Sequence, residues 1–328
     1  MNTTDPKTKA YIVTVSEEAA GQRLDNFLAR LLKTVPKTHR YRLIRTGAVR
    51  VNKGRKKADY KLCLDDQIRI PPLQAEDAPR TQKAPPSFKR IGATLLKAVL
   101  YEDEHLLILN KPAGIAVHGG SGLTVGVIEA LRQAHPRGEH LELVHRLDRE
   151  TSGCLMIAKR RAALRGLHEQ LRTGKHIQKK YRCLVQGQWP GSQLINFPLQ
   201  KNTLHSGERM VKVSETGLSA ETRFTLIKAY PGMSLMEAMP ITGRTHQIRV
   251  HAAASRHPIA GDEKYGSLSF NKQLKKVGLT RLFLHAYELQ LVLPYNGQKI
   301  RIIAPLDNAL MRVLAQLNPT GDPHDPCR

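Results

Sequence analysis

Acidic residues are scarce in this chain: 28 Asp and Glu stand against 52 Lys and Arg over 328 residues, for a formal charge of +24. That imbalance disfavours basic partners and favours polyanions, either nucleic acid or an anionic membrane surface. Cysteine is sparse too. Cys63, Cys154, Cys183 and Cys327 are scattered with no CxxC spacing, which argues against a zinc knuckle or a disulfide framework. No apolar run approaches the ~18 residues that span a bilayer, and residues 1–10 are too polar for a secretory leader, so a cytoplasmic protein without membrane attachment is expected. GxGxxG and GxxxxGK[ST] are missing, and Gly119-Gly120-Ser121-Gly122 lacks the lysine of a phosphate loop and reads as a plain loop. What the chain does have is length and apolar content: 41% hydrophobic residues and, at ~150 residues per domain, about two domains.

The first of these covers residues 1–72. Leu24, Phe27, Leu28 and Leu31 recur at helical spacing, and a second helix over Lys37–Thr46 ends at Gly47. The period then drops to two at Val49/Val51, Leu62/Leu64 and Ile68/Ile70, which predicts short strands. Between positions 37 and 57 stand nine Lys or Arg and no acid. Lys37, Arg40, Arg42 and Arg45 come from the helix, Lys53, Arg55, Lys56 and Lys57 from a turn. A solvated charge run ordinarily mixes signs. This one does not, and a helix with an adjoining turn can offer one positive surface to phosphates.

Residues 73–90 hold three prolines and few large apolar groups, and read as an extended linker. From 91 to 318 strands and helices mix without regular alternation, predicting an α+β domain whose mixed sheet is largely antiparallel and flanked by helices. Thr242 and Thr245 are candidate caps for a helix through Ser255, and Ser121 or Thr124 for a helix reaching Ala134. Residues 319–328 are expected to form a tail.

One loop crowds polar groups directly ahead of an apolar strand: His145-Arg146-Leu147-Asp148-Arg149-Glu150-Thr151-Ser152-Gly153. Side chains at a strand mouth are held rigidly and can face a cleft. Arg146 and Arg149 flank Asp148, and an ionised carboxylate can act at a glycosidic carbon as nucleophile or counter-charge. Taken by itself, the loop reads rather as an Asp in an ordinary ion pair. Likewise Tyr181 reads as a core strand aromatic, Arg249 as a surface helix cation, and Lys111 as a candidate phosphate contact. His246 and His251 lie i, i+5 apart and do not share a helix face, so no metal site is read there.

Two resemblances sharpen this. GQRLDNFLARLL followed by YRLIRTGAVRVN resembles the alpha-L RNA-binding motif, which implies recognition of folded RNA by shape and phosphate contacts. HRLDRETSG is similar to the HRLDxxTSG signature of the RluA-type pseudouridine synthases. NKPAGIAVH (110–118), KKYRCLVQG (179–187), TGRTHQIRVHAAASRHPIAGDEKYG (242–266) and LFLHAYELQLVLP (282–294) fit the same family in order and spacing. The resemblance implies an enzyme that isomerises uridines of large-subunit ribosomal RNA, free or in an assembling particle, without cofactor or metal. It implies that Asp148 is the catalytic carboxylate, Arg249 its partner, Tyr181 the neighbour of the target base, and Arg146 the group filling the gap left by a flipped uridine. Two tethered modules on one RNA point to a monomer. A non-catalytic RNA-assembly factor, or an enzyme for transfer RNA, would use the same basic surface, and Asp148 separates the first of these from the enzyme.

Overall fold

The computed structural model describes residues 10–32, 35, 37–73, 86–119, 125–203 and 209–317. The chain divides into two units, Met1–Pro85 and Pro86–Arg328.

In the N-terminal unit, β1 (Tyr11–Thr14), α1 (Leu24–Leu31), α2 (Lys37–Thr46), β2 (Arg50–Val51) and β3 (Gln67–Ile70) build a three-stranded antiparallel sheet, order β1-β3-β2, with two helices. Leu24 and Leu28, one turn apart, enter the core with Leu43, Ile44, Val51, Ile68 and Ile70. Leu31 is exposed, so the buried stripe of α1 is narrower than its spacing predicts. α2 ends as expected at Gly47, whose φ of +75° favours a residue without Cβ. β1 was not anticipated, and the expected strand at Leu62–Leu64 is a turn region in which Leu62 is buried and Leu64 exposed. Buried Asp66 shapes that region: its carboxylate accepts from the Asn52 amide, the Tyr60 hydroxyl and the Cys63 N–H, at 2.7, 3.2 and 2.8 Å.

The second unit begins at Pro86, ahead of the expected 91. α3 (Pro86–Lys97) starts inside the segment read as linker, because Pro is well tolerated in a first helical turn. Residues 74–85 of that segment lie outside the described residues, as do the candidate caps Ser121 and Thr124 and residues 318–328, which include the expected tail. The sheet then assembles β4 (Val99–Glu102), β5 (Leu106–Lys111), β6 (Glu142–Leu143), β7 (Ser152–Ala158), β8 (Ile177–Gln186), β9 (Gln193–Ile195), β12 (Thr222–Tyr230), β13 (Met233–Pro240), β14 (Leu284–Val292) and β15 (Lys299–Ile303). Its main path is β4-β5-β7-β14-β8-β13-β12-β9, with β6 beside β7 and β15 beside β14. Every described ladder is antiparallel except β7 with β14. A separate hairpin pairs β10 (Leu199–Thr203) with β11 (Arg209–Val213).

The period of two sorts the strands onto two faces. Tyr181, Cys183 and Val185 of β8 join the larger core, with Met236 and Ala238 of β13 and Ile128 and Leu131 of α4 (Val127–Ala134). Leu184 and Leu235 join a second core with Phe283. That core also takes Phe270 and Leu274 of α7 (Leu268–Lys276), and Leu310 and Val313 of α8 (Asn308–Leu317). α5 (Arg161–Thr173) and α6 (Gln247–Ala254) complete the helices. β7 is buried along its whole length, so its preceding loop is anchored at a fixed point of the sheet. No described helix is long and apolar enough to cross a membrane.

Candidate active site

Asp148 lies in the loop from β6 to β7, and two sequence motifs hold that loop from below. The first is its own histidine: His145 Nε2 accepts from the Met156 N–H of β7 at 3.1 Å, and burial pushes the imidazole down to about 3, so it serves as a neutral acceptor. The second is the Lys111 segment. Lys111 is fully buried, and its Nζ donates to the carbonyls of Pro112, Ile115 and Arg149 at 2.8, 2.9 and 3.1 Å. Burial, aided by the Arg281 charge, pushes its ammonium down to about 7. Lys111 is therefore a brace between two loops and not a phosphate contact: three donors on one nitrogen match three carbonyls. Arg149, expected to flank Asp148 with positive charge, turns away to the Gly114 carbonyl and to Glu150.

The cation that does face Asp148 comes from α6. Arg249 Nη1 stands 3.4 Å from Asp148 Oδ2, while its Nε and Nη2 donate in a fork to Asp262 Oδ2 and Oδ1, each at 2.8 Å. Arg249 is buried, not the surface cation its helical position allowed. The Asp262 side chain is fully buried. Burial alone would raise the Asp262 carboxyl, but the Arg249 fork and the N–H groups of Lys264 and Tyr265 outweigh it and hold the carboxyl below its usual range. Burial likewise works against the Arg249 cation, and the charges of Asp262 and Asp148 prevail. One guanidinium thus spans a buried carboxylate, which fixes it, and a cleft-facing one, which it orients.

Tyr181 approaches from β8, the far side of the β7–β14 junction. It is 8% exposed, and burial together with the Asp148 charge keeps its hydroxyl protonated well above the ordinary phenol range. Lys179, two residues earlier on the same strand face, also lines the cleft, and burial lowers its ammonium. His145, Arg146, Asp148, Lys179, Tyr181, Thr245, His246 and Arg249 all border this one cleft of about 870 Å³. Arg146 is exposed at its rim. Four candidate residues from three elements distant in sequence are therefore brought together.

The α6 boundary differs from expectation. Neither Thr242 nor Thr245 caps the helix. His246 occupies the capping position, and the Thr242 hydroxyl donates to Gln247 Oε1 at 2.7 Å while accepting from the Glu221 N–H at 2.9 Å. Gln247 Nε2 in turn donates to the Glu221 carbonyl and the Thr222 hydroxyl, pinning the start of α6 to β12. His251 is fully buried between Thr222 and the Phe197 carbonyl.

The basic N-terminal residues separate into two groups. Arg42, Arg45, Lys53, Arg55, Lys56 and Lys57 are exposed. Arg40 is turned inward, its guanidinium donating to the carbonyls of Leu32 and Val35 with burial lowering its pKa, so it secures the fold where α1 meets α2. The Lys37 side chain lies outside the described residues. Asn52 and Lys53 adopt positive φ (49° and 65°), and Lys56 sits over the Tyr60 ring at 4.7 Å, so the turn presents its cations from a defined backbone.

Asp262, His246, Tyr265 and Lys179 were not singled out as site residues from the sequence. The first three lie within the segment 242–266 already quoted, and Lys179 within KKYRCLVQG. The usable signal was the strand period for Lys179. No periodicity links Asp262 to Arg249, 13 positions before it, because a turn reverses the chain between them.

Residues 105–254 match the RNA pseudouridylate synthase family, and residues 22–68 match the S4 domain. The chain belongs to the RNA pseudouridylate synthase family and is an isomerase of that class. It is 53% identical over 308 residues to ribosomal large subunit pseudouridine synthase C of Pasteurella multocida, covering 93% of each chain. To the protein of the same name from Escherichia coli K12 it is 51% identical over 320 residues, covering 97% of this chain and 99% of that one. Among solved structures it is similar to human RNA pseudouridylate synthase domain containing 4, with a TM-score of 0.58 and 26% identity over 70% of this chain and 97% of that one.

Proposed function

We propose that the chain converts uridines of large-subunit ribosomal RNA to pseudouridine, with the target nucleotide flipped into the cleft and Asp148 acting on its glycosidic linkage. The observation that carries this reading is the Arg249 bridge between buried Asp262 and cleft-facing Asp148, with Tyr181 lining the same cleft. The relatives' names supply the RNA class.

The reaction breaks the bond from N1 to C1′, turns the uracil, and joins C5 to C1′. C5 loses a proton and N1 gains one, so the step is balanced without an oxidant or an energy-rich phosphate. Asp148 supplies negative charge at C1′, either by forming a bond there or by countering the sugar cation. Arg249 holds that carboxylate in place before substrate arrives, so no reorganisation is needed as charge shifts. Tyr181, kept as a neutral phenol, packs against the pyrimidine and offers a hydrogen-bond donor. Extruding a base from structured RNA costs a few kcal/mol. Arg146 at the rim enters the vacated stack and offsets part of this, and the exposed cations of the N-terminal unit hold the phosphates meanwhile.

The test is release of tritium from ribosomal RNA carrying uridine labelled at C5. The Asp148→Ala protein is expected to release label at least about a thousandfold more slowly. Release at the wild-type rate rules the reading out. Transfer RNA assayed in parallel decides the RNA class.

A further inference from the structure

We infer that His246 is a positioning residue for this reaction: its imidazole, oriented by Tyr265, directs an Nε2–H at one oxygen of Asp148 and so dedicates the other oxygen to the substrate. The inference rests on Asp148 being the reacting carboxylate.

His246 adopts a left-handed backbone (φ +53°) at the position before α6, a conformation that disfavours residues with a Cβ, and its side chain makes no capping hydrogen bond. Its Nδ1 lies 2.8 Å from the Tyr265 hydroxyl. That hydroxyl already accepts from the backbone N–H of Val211 on β11, at 2.9 Å. A phenol oxygen engaged by a donor has its own proton to give, and here it goes to Nδ1, which places the imidazole hydrogen on Nε2. Nε2 stands 3.7 Å from Asp148 Oδ2, the same oxygen that Arg249 approaches. Among the described residues no donor reaches Asp148 Oδ1. These separations, 3.4 and 3.7 Å, are longer than the usual charge-assisted hydrogen bond and within reach of one by a small side-chain movement.

The charged and titratable groups facing His246 are Asp148 from the β6–β7 loop, Arg249 from α6, and Asp262, Lys264 and Tyr265 from the segment after it. Burial lowers the His246 pKa against the pull of Asp148, which favours the neutral imidazole. A neutral donor orients the carboxylate while leaving its negative charge available, whereas an imidazolium would neutralise part of it.

The experiment is single-turnover tritium release at saturating enzyme across pH 5–8 for wild type, His246→Ala, His246→Gln and Tyr265→Phe, with RNA affinity and melting temperature measured on each. The glutamine amide reaches where Nε2 does and does not titrate. His246→Ala and Tyr265→Phe are expected to slow turnover by about 10²-fold with RNA affinity unchanged. His246→Gln is expected to recover most of the rate. Folded His246→Ala at the wild-type rate, or His246→Gln no better than His246→Ala, overturns the inference. Tyr265→Phe leaves His246 in place, so it tests the relay even should the alanine variant misfold. An active Asp148→Ala protein would instead refute the reading of the carboxylate itself.

Discussion

Between positions 37 and 57 the N-terminal unit carries nine cations and no acid in the same stretch, and six of the eight candidate contacts are exposed. In the proposed catalytic cleft the cation Arg249 is buried, bonded on two atoms to one carboxylate and aimed by a third at another. The same residue type does opposite work. Exposed and unpaired, Arg releases counterions on meeting phosphate, which gives affinity that salt erodes. Buried and paired, it gives up that affinity and gains fixed direction, which is what a transition state rewards. Arg40 is the instructive intermediate: it sits in the basic run by sequence, yet its bonds to Leu32 and Val35 assign it to the fold.

The sharpest way to break this contrast is to unpair the buried cation. Asp262→Asn removes the charge that fixes Arg249 and is expected to cost ~3–5 kcal/mol of unfolding free energy, measured by denaturant titration of the whole chain. Turnover should fall with it while RNA affinity holds. A stable, fully active variant would mean that the Asp262 contact does not set the geometry.

Next in size is a pH effect confined to the catalytic unit. Burial pushes His145 down to about 3 and His285 down to about 4, the latter between the Ser152 hydroxyl and the Ala304 carbonyl. Both folded values lie below the ordinary 6.5, so the unfolded chain takes up protons first as pH drops. Stability is therefore full above pH 6.5 and declines from there toward pH 4, by at most ~1.4 kcal/mol per pH unit for each residue. Calorimetric melting at pH 7, 6 and 5 checks this, and His285→Gln should flatten the decline. An identical slope in that variant would remove His285 from the account.

The smallest effect belongs to the exposed turn. Replacing Lys53, Arg55, Lys56 and Lys57 with Gln should weaken RNA binding and lower the slope of log affinity against log salt by ~0.7 per lost contact on single strands, with saturated turnover unchanged. An unaltered salt slope excludes this surface from the RNA interface.

The two units were unequally legible in the sequence. α2 and Gly47 were readable because helical spacing and a stop residue are local signals, and the mixed sheet followed from irregular alternation of elements. β1 escaped notice because four residues with a half-buried pattern carry little periodicity. The short helix α7, polar on average and sealed by Phe270 and Leu274, escaped for the same reason. In the cleft, Asp148, Tyr181 and Arg249 were found through motif resemblance. Their local chemistry did not single them out, since neutral surroundings and ion pairs look alike in one dimension. Asp262 and the inward turn of Arg40 were not visible, because both depend on which side of a fold a long side chain reaches.

One junction remains consequential. β7 and β14 run parallel over only two residue pairs, Ser152 with His285 and Gly153 with Ala286, and a Cβ on Gly153 would lie 2.3 Å from the Ala286 carbonyl oxygen. Asp148 hangs from one side of this narrow seam and Tyr181 stands on the other, so the spacing of these two cleft residues is set by how tightly two backbones abut. Any side chain wedged at position 153 acts as a spacer in the jaw of a vice, parting Asp148 from Tyr181.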